Sequence, residues 1–99
     1  MFMTCYAYIL QSVKTRRYYF GVSNNVRRRF IEHNSGISKS TAPFRPFILK
    51  RVERFENIKE AYQRERFLKS KKNKKIIELI IRSSPDVLAE QEVGIPISR

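Results

Sequence analysis

Two helical stripes in this chain carry charge where their spacing asks for apolar side chains. Val26, Arg29, Phe30 and His33 fall at i, i+3, i+4 and i+7, so a helix there turns Arg29 and His33 toward the core. Ile58, Ala61, Tyr62, Glu65, Leu68 and Lys69 repeat the pattern, with Glu65 at mid-stripe. Burying an unpaired Arg or Glu is expensive. Either the two pair with each other or snorkel to the rim of the core, or they converge at a cleft that holds an anion and a cation. His33, at a helix end, reads as a cap or core residue as readily as a proton carrier. Tyr6, Tyr8, Tyr18 and Tyr19 crowd into two short segments. They suit a sheet of good β formers, a platform for stacked bases, or a phenol whose pKa of about 10 is lowered by nearby cations. Pattern alone leaves all three open.

The elements that must position these groups are legible. Cys5 to Leu10 reads as a strand with Tyr6, Tyr8 and Leu10 on one face and Cys5, Ala7 and Ile9 on the other. Tyr18 to Val22 is a second strand, and the short polar link makes the two a hairpin. Both faces are apolar, which predicts helices on each side of the sheet. Ser23-Asn24-Asn25 offers N-cap residues for a helix from about Val26 to His33, with Gly36 placed to stop it. A polar loop from Ser35 to Pro46 leads to a third strand, Phe47 to Phe55, in which Phe47, Leu49, Glu53 and Phe55 alternate. Asn57 with Glu60 opens a helix from Ile58 to Ser70, and Ile76 to Ile81 forms another after a basic turn. The order β-β-α-β-α-α gives an α+β domain: a three-stranded, mainly antiparallel sheet flanked by helices. Residues 1–82 form this domain, and residues 83–99 read as a loosely held acidic tail.

The chain has 99 residues and a net charge of +12, unevenly spread. Residues 1–83 hold 20 basic and 6 acidic side chains; residues 84–99 hold 1 basic and 3 acidic. A body this basic favours a polyanion, and nucleic acid is the commonest. No apolar run is long enough for a membrane span, and no basic amphipathic helix suits a lipid surface. A single cysteine, Cys5, and no Cys/His cluster exclude an internal disulfide and a zinc site, which suggests a reducing, cytoplasmic setting.

The chain resembles the GIY-YIG endonuclease superfamily over roughly residues 5–80, in particular a small single-domain branch similar to the nuclease domain of the bacterial excinuclease. Tyr6-Ala7-Tyr8 and Tyr19-Phe20-Gly21 stand for the two signature triplets, with Tyr6 and Phe20 departing from them. Arg29 falls on the family arginine, Glu32-His33-Asn34, Thr41 and Arg45-Pro46 match the branch, and Glu65 matches the metal-binding glutamate.

The resemblance implies hydrolysis of DNA phosphodiester bonds, in repair or recombination, with a single Mg²⁺ or Mn²⁺ held weakly by Glu65 until substrate arrives. It implies that Arg29 forks onto the phosphate, that Tyr8 or Tyr19 positions or deprotonates water, and that His33 moves a proton or holds a phosphate. Lys69 would orient Glu65 or contact DNA, while Lys71, Lys72, Lys74 and Lys75 contact the backbone non-specifically. Tyr6, Arg27, Arg28, Lys39 and Arg45 complete the expected nucleic-acid set. The alternative is a binding module of the same fold that cleaves slowly or not at all. Substrate form stays open between duplex, flap, junction, damaged site and RNA. Targeting is expected from the Ser35–Pro46 loop, the tail or a protein partner.

Overall fold

The central strand is buried along its whole length, so apolar cover is needed on both of its faces. In the computed structural model, which describes residues 4–98, β1 (Cys5–Ser12) lies between β2 (Tyr18–Ser23) and β3 (Phe47–Phe55), both antiparallel to it. The helices are α1 (Val26–Ser35), α2 (Ile58–Ser70), α3 (Lys74–Arg82) and α4 (Val87–Val93), with a 3₁₀ turn at Ala42–Phe44. The strands and α2 match the sequence reading closely, and α1 and α3 each run a turn or less beyond it. Asn25, Asn57 and Asn73 accept a backbone N–H at the start of α1, α2 and α3, and Gly36 ends α1 at φ 85°.

Tyr6, Tyr8 and Leu10 pack on one face with Val26, Phe47, Leu49 and Val52. Ile9 packs on the other with Leu68, Ile77 and Ile81. The two-sided sheet is therefore as expected, with α2 and α3 on the second face. No helix among the described residues is long and apolar enough to cross a membrane.

The alternation expected along β3 breaks. Ile9 faces Arg51 while Leu10 faces Leu49, so Lys50 is an extra, bulged residue. A slip of one residue exchanges faces. Val52 therefore joins Leu49 in the core, and Glu53 turns to the opposite face, where Arg51 and Arg64 grip it at 2.6 and 2.7 Å. Burial alone would raise the Glu53 carboxyl; the two guanidiniums overcome this and hold it below its ordinary value of 4.5. This network ties α2 to β3 at the residue before Glu65. Because the folded value is depressed, its stabilisation is complete above about pH 4.5 and is lost as pH falls through the lower folded value. Glu53→Gln is expected to cost about 2–4 kcal/mol near neutrality, since two half-desolvated guanidiniums lose their charge partner. Urea denaturation across the acid range should show that the variant also loses this pH dependence; identical curves would remove the network from the stability account.

The acidic tail is not loose. Asp86 caps α4 through the Ala89 N–H at 3.0 Å and accepts the Arg54 N–H of β3 at 2.8 Å. Ala89 and Val93 are buried, Ile95 and Ile97 pack on the first-face core, and the Ser98 N–H donates to the Leu49 carbonyl. Seven helical residues with an Ala and a Val facing inward carry too short a period to stand out in the sequence.

Candidate active site

Gly21 opens the site. Its backbone faces Tyr8 across the β1–β2 pair, and a β-carbon there would overlap the Tyr8 hydroxyl. Only glycine lets the phenol extend across the edge strand. Tyr8 as a whole is buried, at 4% exposure.

Around the Tyr8 hydroxyl three groups converge. The Arg29 guanidinium, on α1, acts on it as a nearby positive charge. His33, one turn further along α1, places Nε2 at 3.4 Å, and its Nδ1 lies 3.0 Å from the Thr41 hydroxyl. Thr41 in turn donates to the Ser38 carbonyl, so its oxygen accepts the His33 Nδ1–H and leaves Nε2 as an acceptor for the Tyr8 hydroxyl. Glu65, on the sheet-facing stripe of α2, adds its field at the same phenol. Burial pushes the Tyr8 phenol above its ordinary value; Arg29 opposes this, and the Glu65 and Glu32 carboxylates add to the rise. Burial, and then the Arg29 charge, push the His33 imidazole below 6.5, so it is neutral at neutral pH.

Arg29 and Glu65 do not pair with each other. Arg29 donates to Glu32 at 2.7 Å, which raises the guanidinium's pKa first of all, and it borders a cleft of about 310 Å³ with Arg28, Val22, Ser23, Ile58 and Tyr62. Glu65 lies 3.5 Å from Lys69, whose side chain is 58% exposed. That contact is loose enough to yield to another cation. Among the described residues no three His, Cys, Asp or Glu side chains gather. A lone carboxylate with a replaceable partner suits a hard ion that keeps several waters and takes phosphate oxygens as further ligands.

Tyr19 occupies the same face between Phe44, stacked at 5.9 Å, and Phe47, edge-on at 5.2 Å. Its hydroxyl is buried and meets no hydrogen-bond partner among the described residues. An orphaned hydroxyl costs roughly 1–3 kcal/mol. Tyr19→Phe is therefore expected to raise stability by about 1 kcal/mol, read as a higher Tm, while slowing any reaction that uses the hydroxyl. A less stable variant would mean that the hydroxyl is bonded in the free protein.

Several expected contacts are placed differently. Tyr6 is withdrawn from the surface: it is buried beneath α4, its hydroxyl donates to Glu92 at 2.7 Å, and burial together with that carboxylate pushes its pKa up to about 12. Arg45 folds back to donate to the Ala42 carbonyl. Lys71 sets its ammonium over the Phe67 ring at 4.6 Å. Arg27, Arg28, Lys39, Lys69, Lys72, Lys74 and Lys75 are exposed. Sequence reasoning gives no role to Gly21, Thr41 or Glu32, which shape the Tyr8 environment. All three stand in the matched motifs, and only side-chain geometry reveals their task.

The family model of the GIY-YIG catalytic domain matches residues 4–77, about three quarters of the chain. No curated protein and no solved structure matches it. With that match laid over the β2-β1-β3 sheet and its flanking helices, the chain belongs to the GIY-YIG superfamily of nucleases.

Proposed function

We propose that this protein is a divalent-metal-dependent endonuclease that hydrolyses DNA phosphodiester bonds. The observation that carries the reading is that His33 Nε2 lies 3.4 Å from the Tyr8 hydroxyl, with the Arg29 and Glu65 charges acting on the same phenol. Phosphoryl chemistry needs a cation on the phosphate, a group that takes a proton from water, and relief of developing charge. This constellation supplies one residue for each need.

Arg29 offers a planar fork to the phosphate beside an accessible cleft, with Glu32 fixing its near side. Tyr8 is a neutral phenol, so it acts as a relay rather than as a standing base. Its oxygen takes a proton from water while its own proton passes to Nε2 of His33. Thr41 keeps that nitrogen free by holding the opposite N–H. Glu65 is the residue that would hold Mg²⁺ or Mn²⁺, with Lys69 released toward the substrate backbone. A bound ion there would neutralise charge on the phosphate and lower the pKa of its coordinated water.

Supercoiled plasmid tests the reading. The full chain is expected to convert it to nicked circle with Mg²⁺, and a chelator is expected to stop the conversion. Binding without nicking, in Mg²⁺ and in Mn²⁺ alike, would overturn the nuclease reading and leave a DNA-binding module.

A further inference from the structure

Two local irregularities converge away from the Tyr8 site. The bulge in β3 makes Lys50 the extra residue. Arg16, in the turn between β1 and β2, adopts φ 67°, a left-handed conformation that a side-chain-bearing residue rarely takes. The buried Gln11 side chain holds it there by donating to the Arg16 carbonyl at 3.0 Å. Bulges and left-handed residues of this kind re-aim side chains, and they concentrate at functional sites.

These features face one cleft of about 280 Å³ between the hairpin and α3, lined by Arg16, Tyr18, Lys50, Lys74, Glu78 and Arg82. Four cations meet a single carboxylate. Burial, followed by the charges of Arg16 and Arg82, pushes the Lys50 ammonium below its ordinary value. Like charges held together by a bulge and a strained turn call for an anion.

The cleft opens on the second face of the sheet. Tyr18 and Tyr19 are consecutive on β2 and pack on opposite faces. A neighbouring cleft of about 440 Å³ shares Arg16, Tyr18 and Lys74 and runs past Phe20 to Lys69, one helical turn from Glu65. Cations therefore line a route from the Glu65 side of the molecule to the far cleft. Its wall is aromatic: Lys74 Nζ lies 5.6 Å from the Tyr18 ring centre. A duplex keeps its base faces stacked inside and offers none to Tyr18, whereas a single strand offers phosphates and base faces together.

We propose that this cleft is a second nucleic-acid site that receives a single-stranded segment, its phosphates on Arg16, Lys50 and Arg82 and a base against Tyr18. The identity of the anion as nucleic acid rests on the nuclease reading; the cation geometry does not.

Amine acetylation followed by mass spectrometry tests the wild-type chain directly. A single-stranded oligothymidylate is expected to slow Lys50 modification at least about fivefold. Unchanged labelling at saturating oligonucleotide overturns the proposal. So does equal protection by a duplex of the same length, or by inorganic phosphate at the same concentration, which would make this a duplex or small-anion site. In fluorescence anisotropy, K50Q/R82Q is expected to bind the oligothymidylate about tenfold more weakly. Its slope of log affinity against log salt should fall by about 1.4, two contacts at about 0.7 each. K50R/R82K should restore both values, and a failure to restore would assign the loss to structure instead. None of these readouts needs cleavage. Protection of Lys50 without plasmid nicking would uphold the cleft and sink the nuclease reading; nicking without protection would do the reverse.

Discussion

Glu65→Gln is expected to lower single-turnover plasmid nicking by about a thousandfold. Metal stabilisation of a phosphoryl transition state is worth several kcal/mol, and each 1.36 kcal/mol is tenfold in rate. The substitution keeps the side chain's size and its place on the sheet-facing stripe of α2, so the fold and the Arg64–Glu53 ties should persist. It also deletes one negative charge from a protein of net charge +12, so non-specific DNA affinity should hold or tighten. That separation is the informative part. A rate near wild type would move the metal elsewhere and dissolve the role given to α2. A rate that falls only in step with affinity would make Glu65 a binding residue instead.

Tyr8→Phe should lower the same rate by about 10²–10⁴, the usual span for loss of a general acid–base group. Three observations give the hydroxyl this weight: the Arg29 charge acts on it, His33 Nε2 faces it, and Gly21 makes room for it. The pH dependence follows from the imidazole. With its pKa below 6.5, His33 accepts a proton across the neutral range, so kcat/KM should stay level there and fall only in a more acid range. A Tyr8→Phe protein that cleaves like wild type would hand the relay to Tyr19. An acid limb above 6.5 would contradict the neutral imidazole.

Much of this arrangement is legible in the sequence, because charge on an apolar stripe is conspicuous. Spacing alone marks Arg29, His33 and Glu65, and the strand faces follow from two-residue alternation. What the sequence hides has identifiable causes. The bulge at Lys50 breaks that alternation, so a regular strand puts Glu53 on the wrong face and conceals its grip on Arg64. The fourth helix buries only Ala89 and Val93, a signal too weak to distinguish from a polar tail. Tyr6 reads as a surface contact because its cover comes from that same helix. The Thr41 hydroxyl contacts His33 across eight residues of loop, where no periodicity operates. The far cleft is split among a turn, a bulge and a helix face, and only its lysine run near α3 stands out.

The asymmetry of the sheet's two borders bears on how copies of this protein can associate. Backbone groups of β3 at Phe47, Leu49 and Arg54 are already taken by Asn34, Ser98 and Asp86. Among the described residues, strand-to-strand joining is therefore left to β2. One open border permits a two-fold pair that seals itself, and denies the head-to-tail propagation by which sheet proteins build fibres.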